Sequence, residues 1–259
     1  MRADQIALQL YTVREHTARD FIGTLERLAR FGYRAVELAG YGGLAPRDLR
    51  AALDRLGLRA VAAHVRYDDF DMRLEGVVDG LHALGCESAV VPSAPPERRG
   101  GADEARRLAE TFNRWGGRCR AAGLRFGYHN HGFEFAPLDD RGTDGTTMFD
   151  LLVAETDPAL VDLELDVYWA QHAGVDPVAL IGRLAGRVPL LHVKDMAADA
   201  EHSDAPVGEG VLPWADILAA GDAAGARWYI VEQDHPRSPL EDVERSLRNL
   251  ERMAGAGGA

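Results

Sequence analysis

Cysteine is almost missing from this chain. Its 259 residues hold two, Cys86 and Cys119, far apart and without metal-ligand spacing, which argues against a disulfide framework and for a reducing compartment. Long apolar runs are missing too. No stretch approaches the roughly 20 apolar residues that span a bilayer, and Met1-Arg2-Ala3-Asp4-Gln5 leads straight into a short apolar run. The expectation is a soluble, cytoplasmic protein with no membrane partner. Positive charge is scarce: 29 Lys and Arg face 41 Asp and Glu, a formal net charge of −12. Such a charge repels a phosphate backbone, so no nucleic-acid partner is expected. Arginine heavily outnumbers lysine, and no basic run stands out.

Apolar residues, by contrast, make up 46% of the chain, enough for a full core, and the length suits one large domain of α/β-barrel size. No linker or low-complexity break interrupts it. Residues 93–101, rich in proline, glycine and arginine, read as a loop over a strand end. Residues 1–253 are expected to form one domain, and residues 254–259 a disordered tail.

A rhythm runs through the chain. Gly32-Tyr33-Arg34, Gly57-Leu58-Arg59, Gly85-Cys86-Glu87, Gly123-Leu124-Arg125 and Gly225-Ala226-Arg227 each follow a helix-like segment and precede an apolar, strand-like run. A glycine that closes a helix in the left-handed region turns the chain into the next strand. The candidate strands cover residues 6–10, 35–38, 60–64, 88–92, 124–130, 161–166, 189–193 and 228–232. Segments 20–31, 47–56, 72–84, 103–122 and 213–224 carry apolar residues at helical spacing. Eight strands alternating with helices predict a parallel sheet with right-handed crossovers, closed as a single (β/α)8 TIM barrel. An open dinucleotide-binding sheet lacks support, because Gly40-Tyr41-Gly42-Gly43 has neither the spacing nor the position of its fingerprint.

The strands end in polar residues of few kinds: Gln9, Glu37, His64, His129-Asn130-His131 with Glu134 beyond, Asp166, His192 with Lys194 and Asp195, and Glu232-Gln233-Asp234. Mere arrival at solvent would favour varied lysine, serine and threonine. Repeated histidine and carboxylate at one barrel mouth suits a divalent cation: manganese first, with magnesium, cobalt or zinc as alternatives. An ion-pair network without metal is the competing reading. Lys194 lies two residues beyond His192, so on a strand it points the same way and can steady a negative oxygen. The backbone amides of Gly208-Glu209-Gly210 can cradle an anion. Tyr168, Trp169 and Trp214 either stack on a sugar ring or plug the barrel top.

Taken together, Leu8-Gln9-Leu10-Tyr11-Thr12-Val13-Arg14, Tyr128-His129-Asn130-His131-Gly132-Phe133-Glu134-Phe135, Leu165-Asp166-Val167-Tyr168-Trp169, His192-Val193-Lys194-Asp195, Gly208-Glu209-Gly210 and Val231-Glu232-Gln233-Asp234 resemble the xylose-isomerase-like sugar phosphate isomerase/epimerase family. The resemblance implies one divalent metal ion held by Glu, Asp, His and Glu from the last four strands. Asp166, His192 and Glu232 fit three of these. For the fourth, Glu134 is favoured over His129, although strand five of many relatives ends in glutamate where this chain has His129. The resemblance also implies a small carbohydrate substrate contacted by Gln9, Glu37, His64, His129, His131, Trp169 and Lys194. Trp169 stands where several epimerases carry histidine.

The chemistry so implied is isomerisation or epimerisation of a sugar, keto-sugar or related polyol through an enediolate, with Glu134 and Glu232 taking and returning the proton. The alternative is a dehydratase or lyase acting on a keto-inositol or 3-keto-glycoside. Apurinic endonucleases share the barrel, but the −12 charge disfavours them. A non-catalytic sugar-binding module is the last alternative. A homo-oligomer is compatible with the family, yet no helix face shows an apolar stripe to assign to it.

Overall fold

The computed structural model describes residues 1–138 and 145–256. Eight parallel strands close into a barrel: β1 (Ile6–Gln9), β2 (Ala35–Leu38), β3 (Arg59–His64), β4 (Ser88–Val91), β5 (Arg125–His129), β6 (Asp162–Asp166), β7 (Leu190–Val193) and, after a short antiparallel pair of β8 (Asp195–Met196) and β9 (Asp204–Ala205), the last barrel strand β10 (Trp228–Val231). Neighbours follow chain order around the ring, and β10 closes it against β1 with Ile6 opposite Tyr229. Helices connect the strands, so the fold is a (β/α)8 TIM barrel. Among the described residues no helix is long and apolar enough to cross a membrane.

The glycine punctuation acts as the sequence suggests. Gly32 and Gly57 close the helices Phe21–Phe31 and Pro46–Leu56 with φ of 119° and 66°, a region where a Cβ is costly. Two elements depart from expectation. The helix read as 72–84 begins at Tyr67, because a break in helical geometry at Arg73 hides its first turn from a periodicity count. The last helix, Pro239–Ala256, runs through residues 254–256 of the expected tail; residues 257–259 lie outside the described ones.

The main core lies between strands and helices, where Leu8, Leu28, Phe112, Phe126 and Leu165 are buried. The barrel interior is built differently. Its floor is a small apolar cluster containing Ala7, Ala35, Ala62, Val90, Leu190 and Ile230. Because strand side chains alternate, the residues two further along each strand form the layer above: Gln9, Glu37, His64, His192 and Glu232. The alanines keep the floor thin, so this polar layer sits inside the barrel.

Candidate metal centre and active site

Register determines which groups meet. On β6, Asp162, Glu164 and Asp166 lie on one face at successive heights. Asp162 pairs with Arg125, whose Nη2 donates to it over 2.6 Å. Glu164 stands beside His129 of β5 and Leu190 of β7, whereas Asp166 stands beside His192. All of Glu37, Glu164, Asp166 and His192 are 0% exposed.

Two groups of side chains converge here, each with its candidate donor atoms within 4.8 Å of one another: His64, His129, Glu164 and His192, and above them His129, Asp166, His192 and Glu232. In the lower group Glu164 Oε2 meets three imidazoles: His64 Nε2 at 2.7 Å, His129 Nδ1 at 3.1 Å and His192 Nε2 at 3.1 Å. Glu37 Oε2 adds a 2.7 Å contact to His192 Nε2. The competing reading of an ion-pair network thus has a physical counterpart in this lower layer. In the upper group His192 Nδ1 lies 2.8 Å from Glu232 Oε2, and His129 Nε2 faces Asp166 Oδ2 at 4.0 Å. Asp166 Oδ1 accepts from the Trp169 amide, but Oδ2 is buried without a hydrogen-bond partner.

Charge follows this geometry. Burial drives His129 down to about 3, with His192 adding to the effect, so His129 is neutral and holds one ring proton. That proton belongs on Nδ1, which faces a carboxylate; Nε2 is left as a bare lone pair. Burial pushes Asp166 up to about 7 even though Lys194 pulls the other way. Burial lowers His64, but Glu37 and Glu164 outweigh it and hold the ring at about 9. Glu37 is raised to about 7 by burial and by Glu164. Glu232 lies below the ordinary carboxylate range despite its burial, because His192 and Lys194 stabilise its charge. His129 Nε2 and Asp166 Oδ2 face each other at 4.0 Å with no hydrogen bond between them. Together with His192 and Glu232 they make a nitrogen and oxygen donor set that fits a divalent cation.

Glu134 is not brought to either group. The short helical turn Phe133–Phe135 folds its carboxylate back onto the chain, where it accepts from Tyr128 Oη at 2.6 Å and from the His131 amide at 2.8 Å. His129 occupies the strand-five place in the upper group. The glycine-flanked loop also differs from expectation. Its amides do cradle an anion, and that anion is Asp195: Gly208 N, Gly210 N and the Trp214 indole nitrogen donate to Oδ2 at 2.8, 2.9 and 2.7 Å, and Met196 N and Leu212 N to Oδ1. Trp214 is therefore a loop anchor.

A cavity of about 830 Å³ opens over the cluster, with His64, His129, His131, Glu232 and Asp234 at its base and Tyr11, Tyr41 and Val77 along its sides. Gln9 is buried and accepts from the Tyr11 amide, leaving its Nε2 unpartnered. Trp169 packs against His131, ring centroids 5.7 Å apart. Lys194, the only lysine in the chain, is 0% exposed. Its ammonium bonds Asp234 and lies 4.8 and 5.0 Å from the ring centroids of Tyr168 and Trp169.

Sequence reasoning missed Glu164. The signal was there in Asp162-Leu163-Glu164-Leu165-Asp166: three carboxylates at a spacing of two on a strand whose other residues are apolar, which places all three inside the barrel.

A family model described as xylose isomerase-like TIM barrel matches residues 25–253. An inosose dehydratase of Lacticaseibacillus casei is 25% identical over 265 residues, covering 88% of this chain and 87% of the relative. Among solved structures, a sugar phosphate isomerase/epimerase from Parabacteroides distasonis superposes with a TM-score of 0.83 at 30% identity, covering 96% of this chain and 93% of the other. A zinc-binding IOLI protein superposes with a TM-score of 0.75 at 13% identity, covering 97% and 98%.

Proposed function

The chain belongs to the xylose isomerase-like TIM barrel family, and from that premise we propose that it is a divalent-metal-dependent dehydratase or lyase acting on a ketone-bearing cyclitol or sugar. The observation that carries this reading is the facing pair of Asp166 Oδ2 and His129 Nε2 at 4.0 Å, at the base of a carbohydrate-sized cavity. His129, Asp166, His192 and Glu232 would hold the ion, in place of a set that includes Glu134. The zinc of the IOLI structure supports a divalent ion. When bound, such an ion supplies a Lewis acid that lowers the cost of negative charge on a substrate carbonyl oxygen.

The rest falls to side chains. Glu232, on the cavity wall, takes the proton α to the ketone. The electron pair of that C–H bond becomes the new C=C bond as the β carbon–oxygen bond breaks. His64, held through Nε2 by Glu164 and facing the same cavity, hands a proton to the departing oxygen. Water leaves, or an alcohol where that oxygen was glycosidic, and an α,β-unsaturated ketone remains. His131 flanks the substrate with Trp169 packed against it, and buried Lys194 holds Asp234, a carboxylate on the cavity wall. At about 830 Å³ the cavity lies within the range of sites for ligands larger than one ring.

Elimination is placed first because the inosose dehydratase relative aligns over 88% of the chain. Isomerisation or epimerisation is the second reading, favoured by the 30% identity to a sugar phosphate isomerase/epimerase; the same base then returns the proton and no bond to oxygen breaks. Incubation with manganese and a panel of keto-inositols, 3-keto-glycosides and free and phosphorylated keto-sugars in deuterated water, followed by NMR, separates them. A new vinylic signal is expected. Deuterium uptake without unsaturated product would establish the second reading, and neither outcome with any panel member would overturn both.

A further inference from the structure

We propose that Glu164 is the positioning residue of the metal centre: one buried carboxylate that fixes the tautomer of two ligating histidines at once, so that His129 presents Nε2 and His192 presents Nδ1 to the ion. The proposal rests on the ligand set put forward above and assigns a role to a side chain outside it.

The geometry is one of shared atoms. A carboxylate offers lone pairs and no proton, so each ring nitrogen that meets Glu164 Oε2 carries the hydrogen. His129 meets it through Nδ1 and His192 through Nε2, both at 3.1 Å. The opposite nitrogens face the upper group: His129 Nε2 is left with its lone pair toward Asp166 Oδ2, and His192 Nδ1 lies 2.8 Å from Glu232 Oε2, where by the same rule it donates a hydrogen that a bound ion would replace. A ligating imidazole whose second nitrogen donates to a carboxylate is held in orientation and made a stronger donor. Here one oxygen of Glu164 holds His129 and shares His192 Nε2 with Glu37 Oε2, which lies closer at 2.7 Å. His64 Nε2, at 2.7 Å from the same oxygen, pins the carboxylate from the third side. Glu37 reaches only His192 and, at 3.6 Å, His64, so it does not replace Glu164 at His129.

The lower group would also fit an ion, with Glu164 itself as ligand. Such an ion would need His129 Nδ1 and His192 Nε2, the two nitrogens that hold the carboxylate, and would leave Asp166 Oδ2 unpartnered. The upper site relieves that oxygen and keeps the lower bonds, while Glu164 Oε1 and Glu37 Oε1 stay buried without a hydrogen-bond partner.

The test titrates metal-free wild type, Glu164→Gln and Glu37→Gln with zinc against a chromophoric chelator, and records long-range ¹⁵N spectra of the histidines in zinc-loaded protein. One zinc per wild-type chain is expected. Glu164→Gln should bind it about 10- to 100-fold more weakly, and Glu37→Gln should lose less. In wild-type spectra His129 should be ligated through Nε2 with its proton on Nδ1, and His192 the reverse. Should Glu164→Gln not fold, that spectrum alone decides. Zinc affinity of a folded Glu164→Gln within twofold of wild type, ligation of His129 through Nδ1, or two zinc ions per wild-type chain with one lost in the variant would each overturn the assignment. Failure of wild type to bind zinc would instead overturn the metal centre itself.

Discussion

Asp166 divides its two carboxylate oxygens between structure and chemistry. Oδ1 caps the helix Val167–His172 through the Trp169 amide, while Oδ2 points at the imidazoles without a partner. Asp166→Asn keeps an oxygen for the cap and removes the charge that a cation needs. Metal occupancy by elemental analysis should fall at least about tenfold, the scale of loss seen for weaker perturbations of metal sites, while circular dichroism stays unchanged. Full occupancy in the variant would remove Asp166 from the ligand set. Glu134 supplies a contrasting case. Burial raises its carboxyl from 4.5 to about 7, against the pull of Tyr128. A folded-state value above the unfolded one means that its contribution to stability is complete below about pH 4.5 and lost as pH rises through about 7. In chelator-treated protein, the melting temperature of wild type minus that of Glu134→Gln should therefore fall between pH 4.5 and pH 8. An unchanged difference would show that Glu134 titrates normally.

At the scale of elements, strands could be read because their apolar runs are bounded by helix-closing glycines, and polar residues at or next to the strand ends named the candidate site. His192, Asp166 and Glu232, read in this way, come together with His129 in the upper group. Depth inside the barrel was harder to see. Glu164 lies two residues short of its strand end, where an end-directed reading does not look. Glu134 lies away from both groups for a different reason: the backbone path of the turn Phe133–Phe135, which no periodicity encodes, sends its side chain back to Tyr128 and His131. The loop after β7 shows the same limit, since two glycines announce exposed amides without naming the anion. With five donors on one buried carboxylate, Asp195→Asn should cost about 2 kcal/mol, lowering the melting temperature by roughly 4–8 °C in a domain of this size. Gly210→Ala strikes the same anchor, as an added Cβ would fall 2.2 Å from Met196 O and 2.4 Å from Asp195 Oδ1. The two losses should combine to less than their sum, because either substitution frees the loop. Strict additivity in thermal melts would separate the glycine from the anchor.

Across the whole molecule, the proposed ligands come from β5, β6, β7 and the closing strand β10, so an ion bound there ties the last strand to the preceding three. Binding to the folded form alone stabilises it by about 2.7 kcal/mol at 100 times the dissociation constant. Chelation should therefore lower the melting temperature by several degrees, and identical melts with and without chelator would count against a resident ion. The lone lysine offers a second view of the same closure. A protease that cuts only after lysine has one target in this chain, Lys194, and its 0% exposure under Tyr168 and Trp169 shields the bond until the barrel mouth opens. Each scission gives residues 1–194 and 195–259 and nothing smaller. When reclosing outpaces cleavage, the rate of that single cut tracks the population of the open form, so the barrel carries its own gauge of breathing, and slower cutting on addition of metal would express the ion's grip on the mouth as a ratio of two band intensities.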